Sequence, residues 1–495
     1  MRGTQILLLL VAACHSPVAQ VANDARHAGR LEAIAPTSEA LLRGRISIAT
    51  GTHLTLPVHG NVGVYWMTAA EAEAQRRNAL SLRTLIDLFS RVTALRNVNL
   101  SQPGQTVEYS IPAREGDIVV MAILDRRNEF LPTLLQDGGD GNLRGSSGAP
   151  RAVVAGQTTT IDVPLSEVVH VMQASEACSG DRFKLDKVAS PQVRGSIDNP
   201  TLRRVCIHLP PSYAAEPTRR YPVLYAFAGF MGSDSSGSIL AAMKAADELG
   251  RGSREVIVVG VDVRTRYGSS YLTNSTSVGD FDSFVAKDVV AHLDAHYRTI
   301  ANPRKRGLFG QSTGGFNAVS FGLRHADTFQ AIIASSPDAL DFPNWFLTPD
   351  GRHVAPRWLG WMRMEDQFGP PGQMVSYAAE WSPDPKKPTG FAWPADLATG
   401  ALVTDVWAKW ARHSPSMLVR DPAVLTTARA YLSGRILLAA GMHDEADLFE
   451  PTRLFSELLR TTGVDHTFAT DDAGHFVPAA RMRRMIDFAL TVLAD

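Results

Sequence analysis

Residues 304–326 read RKRGLFGQSTGGFNAVSFGLRHA, and this stretch decides the fold class of the chain. Its first residues are apolar enough for the end of a buried strand, and 316–325 has the apolar spacing of a helix. Between them lies a G-x-S-x-G pentapeptide centred on Ser312. This pentapeptide is typical of a sharp strand-to-helix turn that exposes a serine hydroxyl, and the turn requires glycine because a Cβ would clash there. The pattern predicts a nucleophile at Ser312.

Two later segments supply an acid and a histidine in the order that this turn predicts, which is serine, acid, histidine. The strand-like segment 435–440 is followed by Asp444, so this carboxylate lies at the carboxyl end of a strand, where open α/β sheets form their sites. His475 follows another short strand and precedes a final helix. In third place, His475 is predicted to be the general base. Asp444 is the predicted acid, although Glu445 and Asp447 lie within one turn of it.

Three stretches carry a resemblance to a known family. They are 204–232, with RVCIHLPPSY and YPVLYAFAGFMG; 271–299, with YLTNS, FDSF and HYRT; and the serine turn with the ASSP that follows at 334–337. They resemble the putative-esterase branch of the α/β-hydrolases, which includes esterase D, enterochelin esterase, feruloyl esterases and mycolyltransferases. The resemblance implies a mostly parallel sheet flanked by helices, and acyl chemistry without a specified substrate. One departure is Ala228, where the family usually has histidine or aspartate before the glycine of the oxyanion loop.

The expected chemistry assigns a role to each residue. His475 would take the proton of the Ser312 hydroxyl as that oxygen attacks an ester carbonyl, and would return it to the leaving alcohol. Asp444 would fix the histidine tautomer and stabilise the imidazolium. Two backbone N–H groups would bind the oxyanion: that of Thr313, directly after the nucleophile, and by resemblance that of Phe230.

Substrate contacts are expected at the rim of the sheet. The segment 341–430, inserted before the strand that leads to the acid, holds seven of the eight tryptophans, so it is predicted to form a lid over an apolar or sugar-binding pocket. Trp345 and Trp361 are candidates for substrate contact, and other tryptophans are expected to form the core of the insertion itself. Arg264 follows the strand 256–261 and is a candidate for binding an anionic substrate group; the alternative is that it holds a loop through salt bridges.

The first residues predict export. A basic residue precedes the apolar run 6–13, which is too short to span a bilayer and is typical of a signal peptide. The run ends in VAAC, which resembles a bacterial lipobox, so residues 1–13 are expected to be removed and Cys14 to carry lipid. The alternative is ordinary secretory cleavage near Ala19. We expect a protein of the cell envelope that contacts the membrane only through this anchor, or else a secreted protein.

Composition limits the other classes of function. The 495 residues carry a net charge of −1, so nothing points to a nucleic-acid partner, and the length indicates more than one domain. Cys178 and Cys206 remain as an even pair, which in an exported protein are candidates for a disulfide; two isolated buried thiols are the alternative. The cysteine spacing shows no zinc pattern, and no metal or cofactor is predicted.

Composition and strand pattern divide the chain into four predicted segments after the signal peptide. Residues 14–40 are polar and predicted to be a flexible tether. Residues 41–168 contain short strand-like segments between glycine- and proline-containing turns, and predict a small β-sandwich with a helical insert at 69–95. Residues 169–199 are predicted to be a connector, and 200–495 the α/β-hydrolase domain.

The leading hypothesis is therefore a serine carboxylesterase acting on a small or polymer-linked ester. Feruloyl, acetyl-sugar and siderophore-type esters are all compatible with the sequence, and an acyltransferase is an alternative. A second hypothesis is a non-catalytic envelope protein that binds a glycan and has a decayed hydrolase core. The intact order of Ser312, Asp444 and His475 argues against decay.

Overall fold

The computed structural model describes residues 40–50, 52, 56–77, 84, 87–88, 91–102, 104–126, 141–169, 178–191, 193, 202–368 and 372–495. The predicted signal peptide, Cys14 and nearly all of the predicted tether lie outside these residues, as do parts of the helical insert and of the connector. The described residues form two large sheets, one in each half of the chain.

The first half forms one sheet of nine strands. In chain order these are β1 (Ala40–Ile48), β2 (Val58–Thr68), β3 (Thr93–Leu100), β4 (Thr106–Ala113), β5 (Gly116–Asp125), β6 (Leu143–Ser146), β7 (Arg151–Val153), β8 (Thr158–Thr160) and β9 (Val163–Val168). Hydrogen bonds join them in the order β3-β2-β5-β6-β9-β1-β4, with β7 beside β5 and β8 beside β1. Helix α1 (Ala69–Arg76) follows β2 directly. Thr68 caps it: the Thr68 side chain accepts from the Glu71 N–H, and the Glu71 carboxylate accepts from the Thr68 N–H.

This sheet differs from the predicted sandwich. In β4, Tyr109, Ile111 and Ala113 are buried and the residues between them are not, as a half-buried strand requires. The end strands β3 and β4 contact each other, so one sheet curls around the apolar interior where two facing sheets were expected. The alternation of apolar residues fixes which side of a strand is buried, but not which strand lies beside it. The predicted helical insert, 69–95, also extends too far toward the C-terminus, because β3 begins at Thr93.

The second half forms a mixed sheet of eight strands, in the order β10-β11-β13-β12-β18-β19-β20-β21. These are β10 (Phe183–Ala189), β11 (Leu202–His208), β12 (Val223–Phe227), β13 (Ile257–Val261), β18 (Arg306–Gln311), β19 (Ala331–Ser335), β20 (Ile436–Gly441) and β21 (Thr467–Asp471); the two-residue strands β14 (Arg264–Thr265), β15 (Gly268–Ser269), β16 (Asn274–Ser275) and β17 (Gly279–Asp280) form two small hairpins. Strand β11 is antiparallel to both neighbours, and β13 and the strands after it in this order are parallel. The expected mostly parallel sheet is confirmed.

The central strands are buried along their whole length because packing covers both faces. Val223, Tyr225 and Phe227 of β12 belong to one apolar cluster, and the alternating Leu224 and Ala226 belong to a second one on the opposite face. The helices of this half are α2 (Gly237–Leu249), α3 (Phe281–Ser283), α4 (Val290–His296), α5 (Thr313–Arg324), α6 (Phe342–Phe346), α7 (Pro356–Phe368), α8 (Gln373–Trp381), α9 (Thr404–Ala411), α10 (Pro415–Arg420), α11 (Pro422–Tyr431), α12 (Phe449–Thr461) and α13 (Ala479–Ala494). In the part of the chain that the structure describes, none of the helices has the length and apolar character needed to cross a membrane.

Helices α6 to α11 lie between β19 and β20 and correspond to the predicted insertion. Trp381 and Trp410 are buried there, with ring centroids 5.8 Å apart. The Trp410 indole N–H donates to Ser382 Oγ at 2.9 Å, which satisfies its polar atom inside this core. These two tryptophans therefore form the insertion's own core, as expected for part of the set.

A buried carboxylate fixes the start of α8. Glu365 of α7 accepts the backbone N–H groups of Gln373 at 2.9 Å and of Val375 at 2.7 Å. Helix N-termini leave such N–H groups without partners inside the helix, so this carboxylate joins α7 to α8. Burial raises the pKa of Glu365 to about 7, although the two N–H bonds favour its charged form.

A disulfide joins Cys178 to Cys206, with the two Cα atoms 5.9 Å apart. Cys206 lies in β11, whose antiparallel partner β10 follows Cys178 in the chain. The bond therefore fixes the entry of the chain into the second sheet, and the disulfide is the alternative that the structure supports over two separate thiols.

Replacing both cysteines, Cys178→Ser with Cys206→Ser, should lower the free energy of unfolding by about 2–4 kcal/mol, because the unfolded chain regains the freedom that the cross-link removes. Urea unfolding of the second half, followed by tryptophan fluorescence, measures the change. A thiol reductant should lower the stability of the unsubstituted protein and leave the double variant unaffected. Equal stability of the two proteins without reductant would contradict the assignment.

The Glu365→Gln variant should remove one pH-dependent part of the stability. The folded protein keeps a proton on Glu365 up to a pKa of about 7, whereas the unfolded chain releases it near the ordinary value of 4.5, so stability falls as pH rises between these values and stays reduced above them. We expect this group to account for a loss on the order of 3 kcal/mol across the whole window. Urea unfolding at pH 5, 6, 7 and 8, chosen to cover about that window, should give a smaller decrease for the glutamine variant; parallel curves would refute the prediction.

Candidate active site

Ser312 occupies the turn between β18 and α5 in a conformation that side chains seldom adopt, with φ +56° and ψ −125°. The turn is possible because two glycines let the backbone approach closely. A Cβ on Gly310 would lie 2.0 Å from the Gly314 oxygen, and one on Gly314 would lie 2.1 Å from the Phe227 oxygen. The predicted turn is therefore present, and its glycines are needed for the reason expected.

His475 and Asp444 meet beside this turn, each on a loop that follows a parallel strand. The His475 Nδ1 atom lies 3.2 Å and 3.1 Å from the two Asp444 carboxylate oxygens, and both side chains are buried. The neighbouring acids have other partners: Glu445 accepts the His475 backbone N–H at 2.8 Å, and Asp447 pairs with Arg357. Among the three acids, Asp444 is the one that holds the imidazole ring.

Arg481 of α13 fixes the loop that carries His475. Its fully buried guanidinium makes two bonds to Asp471, at 2.8 Å and 2.5 Å, and one to the Gly474 carbonyl at 3.3 Å. The Nη1 atom of Arg481 donates to the hydroxyls of Ser335 and Ser336 at the end of β19. One arginine therefore ties the histidine loop to the strand next to the nucleophile, a role that no sequence pattern indicated.

Ser312 and His475 line the same cavity, as does Phe230. The insertion supplies the opposite wall through Trp345, Trp358 and Trp361. The rings of Trp345 and Trp358 stack with centroids 4.6 Å apart, those of Trp358 and Trp361 with centroids 5.6 Å apart.

The tryptophan wall ends at Arg357, whose guanidinium lies 4.6 Å from the Trp358 ring centroid. Trp345 and Trp361, the candidates for substrate contact, both line the cavity. Trp358 was missed because seven tryptophans share the segment and the sequence does not show which way each one points.

The residues predicted to supply the oxyanion donors, Thr313 and Phe230, both lie near Ser312. Thr313 is the first residue of α5, where backbone N–H groups have no partner within the helix. Phe230 lines the same cavity as Ser312, and a Cβ added to the preceding residue, Gly229, would lie 3.6 Å from the Ser312 Cβ. The Met231 N–H donates to Ser269 Oγ at 2.8 Å, and this contact supports the loop that begins at Ala228.

Arg264 does not line the cavity. Its guanidinium makes two bonds to Asp262, at 2.9 Å and 2.7 Å, so the structure corrects its assignment as a substrate-binding residue and favours the alternative of a salt bridge that holds a loop. The sequence placed the residue on the correct rim, but the acid two residues earlier already takes up its charge.

Asp338 is a residue of the site that sequence reasoning missed. Its Oδ1 atom accepts the Ser312 hydroxyl at 3.3 Å, and its Oδ2 atom accepts the Thr313 hydroxyl at 2.7 Å. Burial raises the pKa of this carboxyl, although these bonds favour its charged form. A signal existed, because Asp338 follows β19 at the same edge of the sheet where Asp444 follows β20.

The described histidine, cysteine and carboxylate side chains form no cluster of three or more that is suited to a metal ion. The buried acids instead have protein donors. Glu380, for example, accepts the backbone N–H groups of Tyr271 and Thr273 and the Ser270 hydroxyl.

Comparisons with known proteins give one family match and several similar structures. A family model described as putative esterase matches residues 200–478. The comparison with curated protein sequences returns no match. Among solved structures, a ferulic acid esterase is 18% identical, with a TM-score of 0.42 over 63% of this chain and 96% of its own. A fluorophosphonate-binding serine hydrolase of Staphylococcus aureus is 14% identical, with a TM-score of 0.42 over 63% and 98%.

An S-formylglutathione hydrolase from Agrobacterium tumefaciens is 16% identical, with a TM-score of 0.40 over 63% of this chain and 94% of its own. The family match spans more than half of the 495 residues and includes β11 to β21 with the serine, acid and histidine loops. The chain belongs to the putative esterase family and is a hydrolase that acts on ester bonds.

Proposed function

We propose that this protein is a serine carboxylesterase that works through Ser312, His475 and Asp444 and an acyl-enzyme intermediate. The observation that carries the proposal is that Ser312 and His475 line one cavity while Asp444 holds the far nitrogen of the imidazole. A nucleophile, a base and a residue that orients the base are the three parts that acyl transfer needs.

The steps follow from these positions. The Ser312 oxygen attacks the ester carbonyl while its proton passes to His475 Nε2, the nitrogen that Asp444 leaves free. Collapse of the tetrahedral intermediate expels the alcohol, which takes that proton. Water then repeats the sequence on the acyl-enzyme, with His475 again as base. In the resting protein the Ser312 hydroxyl donates to Asp338, so the first step includes its rotation toward His475.

The oxyanion would be stabilised by the N–H groups of Thr313 and Phe230, which lie on the two loops that border Ser312. Preorganised donors of this kind act on charge that develops only in the transition state, and one donor contributes roughly 10²–10³ in rate. The support of the Phe230 loop by Ser269 keeps its donor in place before substrate binds.

The tryptophan wall favours an ester with a flat, apolar part, which would lie against Trp345, Trp358 and Trp361. An aromatic acid, as in a feruloyl ester, and the apolar face of a sugar both meet this condition, and a siderophore-type aromatic ester does as well. Hydrolysis is proposed ahead of acyl transfer to a sugar, because the family comparison supports a hydrolase.

We also propose that the enzyme acts outside the cytoplasm, anchored through a lipid on Cys14. The Cys178–Cys206 disulfide supports export, because such bonds persist in oxidising compartments. The Cys14 prediction lies outside the described residues and rests on the sequence VAAC at 11–14.

Ser312→Ala should reduce hydrolysis of p-nitrophenyl acetate by at least about 10³-fold, because the nucleophile is lost, and should leave the thermal unfolding temperature close to that of the unsubstituted enzyme. A fluorophosphonate probe should label the unsubstituted protein and not the variant. Unchanged turnover in the variant would refute the proposal.

Two variants test whether Asp444 is the acid of the triad, with Asp447→Asn as the matched control. Asp444→Asn should lower kcat strongly, because the imidazole loses the carboxylate that orients it. Asp447→Asn, three residues away and paired with Arg357 at the rim, should lower it far less. The reverse order of these two losses would show that Asp444 is the wrong acid.

Cys14→Ser should abolish incorporation of labelled palmitate and move the enzyme from the membrane fraction of the producing bacterium to the soluble fraction, because the lipid-carrying thiol is absent. Esterase activity should be retained, which makes activity the marker for fractionation. A variant that still incorporates palmitate would contradict the anchor at Cys14.

A further inference from the structure

The Asp338 carboxylate lies beside the nucleophile but has no role in the triad. It lines the same cavity as Ser312 and His475. Its two oxygens differ sharply in their partners. Among the described residues, the one donor to Oδ1 is the Ser312 hydroxyl, at 3.3 Å. The donors to Oδ2 are Thr313 Oγ1 at 2.7 Å, Gln373 Nε2 at 3.0 Å, Tyr271 OH at 3.3 Å and Tyr377 OH at 3.3 Å.

This asymmetry leaves acceptor capacity on the oxygen that faces the nucleophile. A carboxylate oxygen has two lone pairs, so the two close donors, Thr313 Oγ1 and Gln373 Nε2, already saturate Oδ2, whereas Oδ1 has one donor at a distance beyond the usual separation for O–H···O bonds. The four donors also hold the carboxylate in place, because they come from α5, α8 and the loop after β15.

Catalysis would remove even that one donor. When the Ser312 hydroxyl turns toward His475, Oδ1 of Asp338 is left inside a mostly aromatic cavity without a partner, and an unpaired buried acceptor costs free energy. A substrate that brings its own hydroxyl to this oxygen restores the lost bond. The same substrate releases Ser312 from Asp338, so binding and activation of the nucleophile are coupled.

We propose that Asp338 is a specificity-determining residue that accepts a hydrogen bond from a hydroxyl group on the acyl part of the substrate, on the carbon next to the scissile carbonyl. The inference rests on the proposed esterase function. The alcohol part of the ester must face His475, because that imidazole returns the proton to the leaving oxygen. The Ser312 hydroxyl donates to Asp338 when it is turned away from His475, so Asp338 lies on the other side of the Ser312 oxygen from the leaving alcohol. The acyl part of the substrate therefore lies beside Asp338.

The position of the hydroxyl follows from the distance. The acyl carbon becomes bonded to Ser312 Oγ, and Oδ1 of Asp338 lies 3.3 Å from that atom. A hydroxyl on the adjacent carbon comes within hydrogen-bond reach of Oδ1, and a hydroxyl far along the acyl chain does not. A neutral hydroxyl is favoured over an ammonium group, because four donors already offset the charge of Asp338 and the facing wall is aromatic.

The test compares methyl mandelate with methyl 2-phenylpropanoate, two esters that differ only in a hydroxyl or a methyl group beside the carbonyl. The unsubstituted enzyme should prefer the mandelate by about 10-fold to 100-fold in kcat/KM, the range expected for a hydrogen bond to a charged group. In Asp338→Asn, which keeps the volume but not the charge, the preference should fall to within about threefold. Rates of fluorophosphonate labelling report whether the variant is folded.

Glu380→Gln is the matched control. Glu380 is also a buried carboxylate that accepts from several donors of the loop after β15, but it does not line the cavity. Its replacement should leave the preference for mandelate unchanged. An equal fall in both variants would mean that the loss of any buried carboxylate disturbs the site, and would overturn the proposal.

A second measurement does not depend on any variant. Mandelamide should slow fluorophosphonate labelling of the unsubstituted enzyme at a concentration about 10-fold lower than 2-phenylpropanamide does. Equal protection, or an enzyme that labels normally but shows no preference between the two esters, would overturn the assignment. Faster hydrolysis of methyl phenylglycinate than of the mandelate would overturn the choice of hydroxyl over ammonium. Failure of the esterase function itself looks different, because Ser312 would then not react with the probe.

Discussion

The close approach of the α5 backbone to strands β12 and β18 is the constraint on which the site depends. Ser312 can hold a positive φ only because Gly310 and Gly314 leave room for backbone atoms where any Cβ would collide. The strain keeps the hydroxyl at the carboxyl edge of the sheet, the same edge to which β19, β20 and β21 deliver their loops. Each of those loops contributes one polar residue, so the geometry of a parallel sheet, with its strands side by side and in register, determines which distant residues meet.

Buried carboxylates connect the insertion to this edge. Asp338 receives bonds from Gln373 and Tyr377 of α8, Glu365 fixes the start of α8, and Glu380 at its other end accepts from the loop after β15. One short helix is therefore held at both ends by buried carboxyl groups, which are costly to bury unless they are hydrogen-bonded. Helix α8 of the insertion is thus hydrogen-bonded to Asp338, the residue that contacts Ser312. The insertion is therefore fixed to the site by buried hydrogen bonds, unlike a lid that only covers the surface.

The sequence was sufficient where local pattern and chain order decide the outcome. The glycines around Ser312, the order of Asp444 and His475, and the apolar runs of the central strands each carry their own physical reason. It was insufficient where the answer depends on which way a side chain points. Arg264 pairs with Asp262 and does not line the cavity. Trp358 lines the cavity and Asp338 contacts Ser312, and neither was predicted. It also failed for the first sheet, because strand partners are chosen by packing across the whole sheet.

Arg481 has a consequence for the assembly of the site. It belongs to the last helix of the chain, yet it ties Gly474, Asp471 and the end of β19 together. The loop that carries His475 is therefore held in place only when the first turn of α13 packs against the sheet, so the geometry of the site depends on the docking of the last helix.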